Sequence, residues 1–349
     1  MGTLFKDVLK EGESLFLNSV ALDFDYQPKL VPYRENHQRF IVSCIKPLFQ
    51  GRNGKNIFIF GPSGVGKTVS TKHVLSELEE YNDVIPIYIN CWKKDTSFKI
   101  INEMCELVNY KWVHNKKTDE LFADVSKILN KKSVVFCFDE ADKLKEFDLI
   151  YSIMEDIYKK TLIFITNDRN WLNSLDPRIR SRLIAENLEF EPYKLNEVEG
   201  ILKQRMEFAF VKDSFDKQAF QAVVKETFNK KDIRYGLAIM KDSAEISEDL
   251  GSRKVLLEHL ERALNKVNNL NDDDLSKEEK DILRLIKENP MKSVMDLFKL
   301  YKENVEDISS RTFYRKINKL KDKYLIDIEQ SDGYNRINLI EQTKKLDEF

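Results

Sequence analysis

Residues 61–68 read Gly61-Pro62-Ser63-Gly64-Val65-Gly66-Lys67-Thr68, the spacing of a phosphate loop. Glycines at these positions let the backbone wrap a phosphate chain and turn its N–H groups inward. Lys67 reaches the β- and γ-phosphates, and the Thr68 hydroxyl suits Mg2+. The octet lies directly after an apolar run at 57–60 and before a helical pattern reaching Glu80, the context this chemistry requires. Farther on, the unbroken apolar run 134–138 delivers Asp139 and Glu140 side by side. Two acids at the C-terminal end of a buried strand suit metal-assisted hydrolysis, Asp139 holding the Mg2+ shell and Glu140 orienting or deprotonating the attacking water. Their competing structural role is to cap the helix after Asp142.

A further apolar run ends in Thr166-Asn167-Asp168, where the Asn167 amide could hydrogen-bond the attacking water or the γ-phosphate, although a strand-end Asn also serves as a plain turn residue. The stretch 176–182 (Asp-Pro-Arg-Ile-Arg-Ser-Arg) offers guanidiniums to the γ-phosphate of a neighbouring subunit, Arg182 being the first candidate and Arg180 the second. Arg234, at the start of a helix in Asp232-Ile233-Arg234-Tyr235, could reach the same phosphate. A solvated surface position is the alternative for each of these arginines.

Such groups need a scaffold. Short apolar runs at 57–60, 84–90, 134–138, 162–166 and 183–188 alternate with helical patterns, which predicts an α/β core with a parallel sheet over 1–191. After Glu191-Pro192 the strands stop, and helical periods at 197–210, 216–228, 233–245 and 253–268 predict an all-α segment over 192–270. A polar stretch, 268–274, reads as a hinge, and Ser276 with Glu279 forms a capping box for a third domain over 275–349. There, helices at 277–288, 294–303 and 310–323 precede two short strands, 326–329 and 336–339, around a turn at 331–335; three helices plus a hairpin make a winged-helix pattern.

Phosphate loop, Asp-Glu strand, strand-end Asn, Ser181-Arg182 pair and Asp232-x-Arg234 helix follow the order found in AAA+ ATPases, and the details resemble the archaeal origin-recognition initiators, relatives of the eukaryotic origin-recognition and cell-division-cycle loading proteins. Val31-Pro32-Tyr33-Arg34-Glu35 resembles that family's N-terminal Pro-x-Arg-Glu segment, and the resemblance places Pro32, Tyr33 and Arg34 against the adenine. Asn90-Cys91 and the Leu175-Asp176-Pro177-Arg178 turn also look familial. The resemblance covers about residues 20–340. It implies an AAA+ P-loop core, a helical lid and a C-terminal winged helix, with ATP or ADP and Mg2+ as cofactors. It further implies duplex DNA at replication origins, paralogous initiator subunits and the replicative helicase as partners. A family helix that contacts DNA from the ATPase domain would fall between Tyr110 and Leu129, where Lys111, His114, Lys116 and Lys117 are available. The turn at 331–335 departs from the more basic family pattern, leaving Arg336 as its nearby cation.

Composition bounds these readings. The 349 residues exceed the roughly 100 to 200 of one domain, and 42% hydrophobic content with 11 Gly and 8 Pro supports packed cores. With 57 basic and 59 acidic side chains the net charge is −2, so a polyanion must be met by a local patch. That patch is predicted on the helix at 310–323: Phe313, Ile317 and Leu320 form its apolar stripe, and Arg311, Thr312, Tyr314, Arg315, Asn318 and Lys319 form its polar face. Lysines and arginines there would supply phosphate affinity, with Arg315 and Asn318 as base-edge candidates. Cys44, Cys91, Cys105 and Cys137 lie apart among apolar residues and read as buried, reduced thiols. No apolar run of membrane-spanning length and no signal-peptide core are present, so a cytoplasmic protein without a membrane partner is expected. The function expected is ATP-dependent origin binding with recruitment or loading of the replicative helicase. The alternatives are a nucleotide-switched DNA-binding regulator of initiation and a STAND-like signalling ATPase.

Overall fold

In the computed structural model, residues 14–113, 115–273, 276–289, 292–305, 308–322, 326–331 and 334–339 are described, with backbone only for 267–273, 321–322, 327–331 and 334–339. The chain divides into two compact units, Met1–Ala263 and Leu264–Phe349.

The first unit is built on five parallel strands: β1 (Asn56–Phe60), β2 (Val84–Asn90), β3 (Ser133–Asp139), β4 (Lys160–Thr166) and β5 (Ala185–Glu189), in the order β2-β3-β4-β1-β5. All seven residues of β3 are buried, as a strand covered on both faces must be. One face carries α3 (Ser97–Leu107), α4 (Thr118–Leu129), α5 (Asp148–Asp156), α6 (Trp171–Ser174) and α7 (Pro177–Leu183), packed through Phe58, Phe136, Phe138 and Phe164. The other carries α1 (Glu35–Ile45) and α2 (Lys67–Leu78), packed through Ile57, Ile59, Val135 and Ile163. The period-two alternation of strand side chains thus feeds two separate cores.

Register aligns the strand ends that matter. Phe60 lies beside Thr166, and Asp139 beside Ile165 and Asn90. The phosphate loop, the acids and Asn167 therefore emerge at one edge of the sheet, where doubly wound folds bind ligands. Helices α8 (Leu195–Ala209), α9 (Lys217–Lys230) and α10 (Ile233–Asp249) follow within the same unit, so the division expected after Glu191 falls inside it. Two links explain this: Phe16 bridges to Phe210 at the end of α8, and the Arg34 guanidinium donates to Glu191 O at 2.6 Å.

Two boundaries differ from expectation. Leu183, expected in a strand, ends α7, because the Asp176 carboxylate caps that helix by accepting from Arg178 N at 2.8 Å and Pro177 starts it. The expected hinge 268–274 is helical through Asp273, as α11 (Leu257–Asp273). Its Asn and Asp residues are weak helix formers, but without Pro or Gly nothing breaks the hydrogen-bond ladder.

The second unit contains α12 (Lys277–Glu288), α13 (Val294–Asn304), α14 (Ser310–Asp322) and an antiparallel hairpin of β6 (Ile326–Ser331) and β7 (Tyr334–Leu339), the element order of a winged helix. The strands run further than expected, pairing from Ile326–Leu339 to Ser331–Tyr334. Phe313, Ile317 and Leu320 of α14 are buried with Ile282, Leu297 and Tyr301. Among the described residues no helix is long and apolar enough to cross a membrane.

Candidate nucleotide site

A cavity of about 320 Å3 opens at the C-terminal edge of the sheet, lined by Ser63–Val69, Asp139, Glu140, Asp142 and Asn167. Lys67 leads α2 and is 7% exposed. Its ammonium donates to Gly61 O (2.7 Å), Pro62 O (2.6 Å) and Asn167 Oδ1 (2.7 Å). Burial pulls its pKa down to about 8, against the opposing pull of Asp139. Glycine is required where the loop meets its neighbours. At Gly64 (φ 71°) a Cβ would sit 2.0 Å from the Asp232 carboxylate, and at Gly66 (φ 90°) 2.5 Å from the Tyr193 hydroxyl.

Asp139 ends β3 and is 3% exposed. Its Oδ1 accepts from Glu140 N at 2.9 Å and its Oδ2 from the Tyr88 hydroxyl at 2.7 Å. Glu140 adopts a left-handed backbone (φ 54°, ψ 45°), uncommon for a residue with a Cβ, and lines the cavity. Burial raises its pKa, and the neighbouring Asp139 and Asp142 charges raise it further. Burial opposes ionisation of Asp142 too, yet hydrogen bonds from Lys143 and Thr166 outweigh it and lower that pKa. Among the described residues no three or more His, Cys, Asp or Glu side chains converge as a metal cage. Magnesium needs none, since it is held through one or two side chains plus phosphates and water. The Thr68 hydroxyl and the Asp139 carboxylate on one cavity wall fit that donor set.

Arg234 reaches the loop from the start of α10. Its guanidinium donates to Ser63 Oγ and pairs with Asp232 at 3.1 Å, while Asp232 caps α10 by accepting from Arg234 N at 2.9 Å. The remaining wall is formed by Asp23–Pro28, Leu30–Pro32, Tyr193, Ile201, Arg205 and Leu237, largely apolar and aromatic, as a base requires.

The expected residues separate here. Pro32 lines the cavity, whereas Tyr33 and Arg34 stand outside the lining. Tyr33 has φ 65°, and its hydroxyl faces α8 at Gly200. Arg34 is 5% exposed, donates to Val65 O at 3.1 Å and lies 4.0 Å over the Tyr193 ring, so it braces the loop from behind. Gly61 and Pro62 meet Lys67 through their carbonyls and do not line the cavity. Arg182 is also outside it, paired with Glu155 and 4.9 Å over the Tyr151 ring of its own chain. Arg180 is exposed and likewise outside it. Tyr88, Tyr193, Asp142 and Arg205 were not singled out from sequence. For Tyr88 a signal existed, since Tyr88 and Asn90 share one face of β2 and Asn90 pairs beside Asp139.

On α14, Arg311, Tyr314, Arg315 and Asn318 form an exposed stripe at helical spacing, with Thr312 half-buried. Lys319 is committed elsewhere, its ammonium lying 2.7 Å from the carboxylate of the buried Glu279. Arg336 pairs across the hairpin with Glu329, and its side chain lies outside the described residues. Near α4, Lys116 is held by Asp124 and Tyr110, Lys111 and Lys117 are exposed, and His114 lies outside the described residues. All four cysteines are buried free thiols.

Residues 51–167 match the AAA domain family, and residues 199–265 match the Cdc6 AAA+ ATPase-type lid domain. The ORC1-type DNA replication protein of Pyrococcus furiosus is 31% identical over 292 residues, covering 76% of this chain and 68% of that one. The ORC1-type DNA replication protein 1 of Sulfurisphaera tokodaii is 33% identical over 71% of this chain and 66% of its own length, so the match spans about two thirds of such relatives. Among solved structures, the Aeropyrum pernix ORC1 protein in complex with DNA aligns over 94% of both chains with a TM-score of 0.69 at 24% identity. The Aeropyrum pernix ORC2 protein in its ADPNP-ADP complexes gives a TM-score of 0.70 at 18% identity over 93% of this chain and 94% of that one. These structural likenesses bear on fold, and the sequence matches fix the family: the chain belongs to the ORC1-type DNA replication proteins, within the AAA+ ATPases.

Proposed function

We propose that this protein is an ATP-dependent origin-binding initiator that recognises duplex DNA and helps recruit or load the replicative helicase. In this reading residues 1–191 are the ATPase core, 192–270 the lid and 275–349 the DNA reader. The supporting observation is the convergence of Lys67, Asn167, the Asp139-Glu140 pair and Arg234 on one cavity whose other wall is largely apolar and aromatic. ATP or ADP would lie with its base against the apolar wall and its phosphates over the loop. Bound Mg2+, held through Thr68 and Asp139, would neutralise phosphate charge. Lys67 would exchange loop carbonyls for phosphate oxygens, and Glu140 would orient or take a proton from the attacking water. Asn167 would exchange its bond with Lys67 for one to the water or γ-phosphate. Arg234, already against Ser63, would move with the lid when the γ-phosphate leaves, which makes turnover slow and switch-like. Arg182 would serve a neighbouring paralogous subunit, after leaving Glu155.

Genome-wide occupancy of the native protein, with footprinting of the sites recovered in ATP and in ADP, tests this reading. Occupancy confined to replication origins and dependent on nucleotide is the expected outcome. Uniform occupancy, or none, would remove the initiator role. Specific occupancy with no capture of helicase would instead leave a DNA-binding regulator of initiation.

A further inference from the structure

Asp139 is almost fully buried, at the edge of a cavity that two other acids, Glu140 and Asp142, also line. What orients it is therefore a physical question. Glu140 N fixes one oxygen at 2.9 Å, but a single bond leaves the carboxylate plane free to turn. The second bond comes from the neighbouring strand, where Tyr88 pairs with Cys137, two residues before Asp139, and its hydroxyl donates to Oδ2 at 2.7 Å. The Tyr88 ring is itself held, with the Lys72 ammonium 4.5 Å from its centre. Lys72 follows Thr68 by one turn of α2, so both face the same wall of the cavity. The Tyr88 hydroxyl is the donor in this bond, since a carboxylate oxygen only accepts. With one bond accepted by each oxygen, Asp139 keeps further lone pairs for a ligand.

We propose that Tyr88 is a positioning residue that fixes the Asp139 carboxylate for the divalent cation bound with the nucleotide. The inference rests on the nucleotide-site reading above and extends it to a residue that would act through Asp139. Partners behind a metal ligand commonly alter affinity for the ion by about 10- to 100-fold.

The test is ADP binding to the full chain by calorimetry, in EDTA and across a MgCl2 series, for the wild type and Tyr88→Phe. Phe keeps the ring and its contact with Lys72 and removes only the donor. Equal ADP affinity in EDTA is expected, with the Mg2+ concentration for half-maximal enhancement raised about tenfold. In an Asp139→Asn background the Tyr88→Phe effect should vanish. Identical Mg2+ dependence in the wild type and Tyr88→Phe overturns the assignment while leaving the nucleotide site standing. So does an equal loss of ADP affinity with and without Mg2+, the mark of a purely structural role. A wild-type chain that binds no ADP overturns the site reading and this inference together.

Discussion

Lys67 is a desolvated ammonium whose pKa burial pulls down to about 8, so in the proposed site it would act as a proton switch as well as a phosphate ligand. A bound phosphate chain adds negative charge next to the cation and raises that pKa. Between the free and bound values, binding therefore takes up a proton, and nucleotide affinity should fall as pH rises above about 8. Calorimetry at pH 9 in buffers of different ionisation enthalpy should register this uptake, and Lys67→Arg should abolish it. Lys67→Ala should abolish or severely weaken ATP binding altogether; normal affinity in a folded variant would contradict the phosphate-loop assignment. For Glu140→Gln, ATP should stay bound while hydrolysis falls about 100-fold or more, checked by single-turnover assay. Because Glu140 titrates above the ordinary glutamate range, hydrolysis by the native protein should decline as pH falls toward that raised value. Lys67, Asp139, Glu140 and Asn167 were legible because each belongs to a short motif whose meaning is local. Tyr88 and Arg34 act on partners 51 and 157 residues away, and only strand register and the folded loop bring those contacts about.

At the scale of elements, α14 shows that a helical period decides which side chains are exposed but not which partners they take. Its apolar stripe, Phe313, Ile317 and Leu320, is buried as the helical period requires, and Arg311, Tyr314, Arg315 and Asn318 are exposed. Lys319 lies at a polar position, but its partner is set by how α12 packs: Glu279, the third helical residue there, folds back to accept from Ser276 N at 3.0 Å and pairs with Lys319 at 2.7 Å. The capping box was readable from Ser276 and Glu279, and the helix that would cover it was not. Lys319→Ala removes one ammonium partner from a nearly buried carboxylate. The lysine is 54% exposed, so the cost should be about 1 to 2 kcal/mol, well below that for a fully buried pair. Denaturant unfolding should show this loss, and Glu279→Gln/Lys319→Ala should cost less than the sum of the two single changes. The strands of the first unit were legible because all but β5 are unbroken apolar runs. β5 is an edge strand with Glu186, Asn187 and Glu189 exposed, so its start was misplaced into α7.

For the whole molecule, a net charge of −2 means that long-range attraction to a polyanion is absent, so DNA bound in the proposed way would have to be captured by a local patch. The exposed stripe of α14 carries Arg311 and Arg315 one turn apart, with Tyr314 and Asn318 between and beyond them. Lys319, expected from sequence to contribute a phosphate contact, is paired within its own unit, so the test of electrostatic capture moves to Arg311. If Arg311 meets a phosphate, Arg311→Ala should weaken binding to specific and random duplexes alike and lower the slope of log affinity against log salt by about one. If Arg315 reads a guanine edge, Arg315→Ala should cost about 1 to 3 kcal/mol on the specific site and much less on random DNA, narrowing the ratio between them. Both need titration at matched salt, because the phosphate term changes with every step in ionic strength. Lys319→Ala should then lower stability while leaving the salt slope nearly unchanged, which separates a lysine held by Glu279 from one held by DNA. Equal salt-slope losses for Lys319→Ala and Arg311→Ala would show that the Glu279 pair opens on DNA and that Lys319 joins the interface. Removal of residues 275–349 with no change in duplex affinity, while ATP binding by the first unit persists, would take DNA recognition away from α14 and place it in the unit that holds the nucleotide cavity.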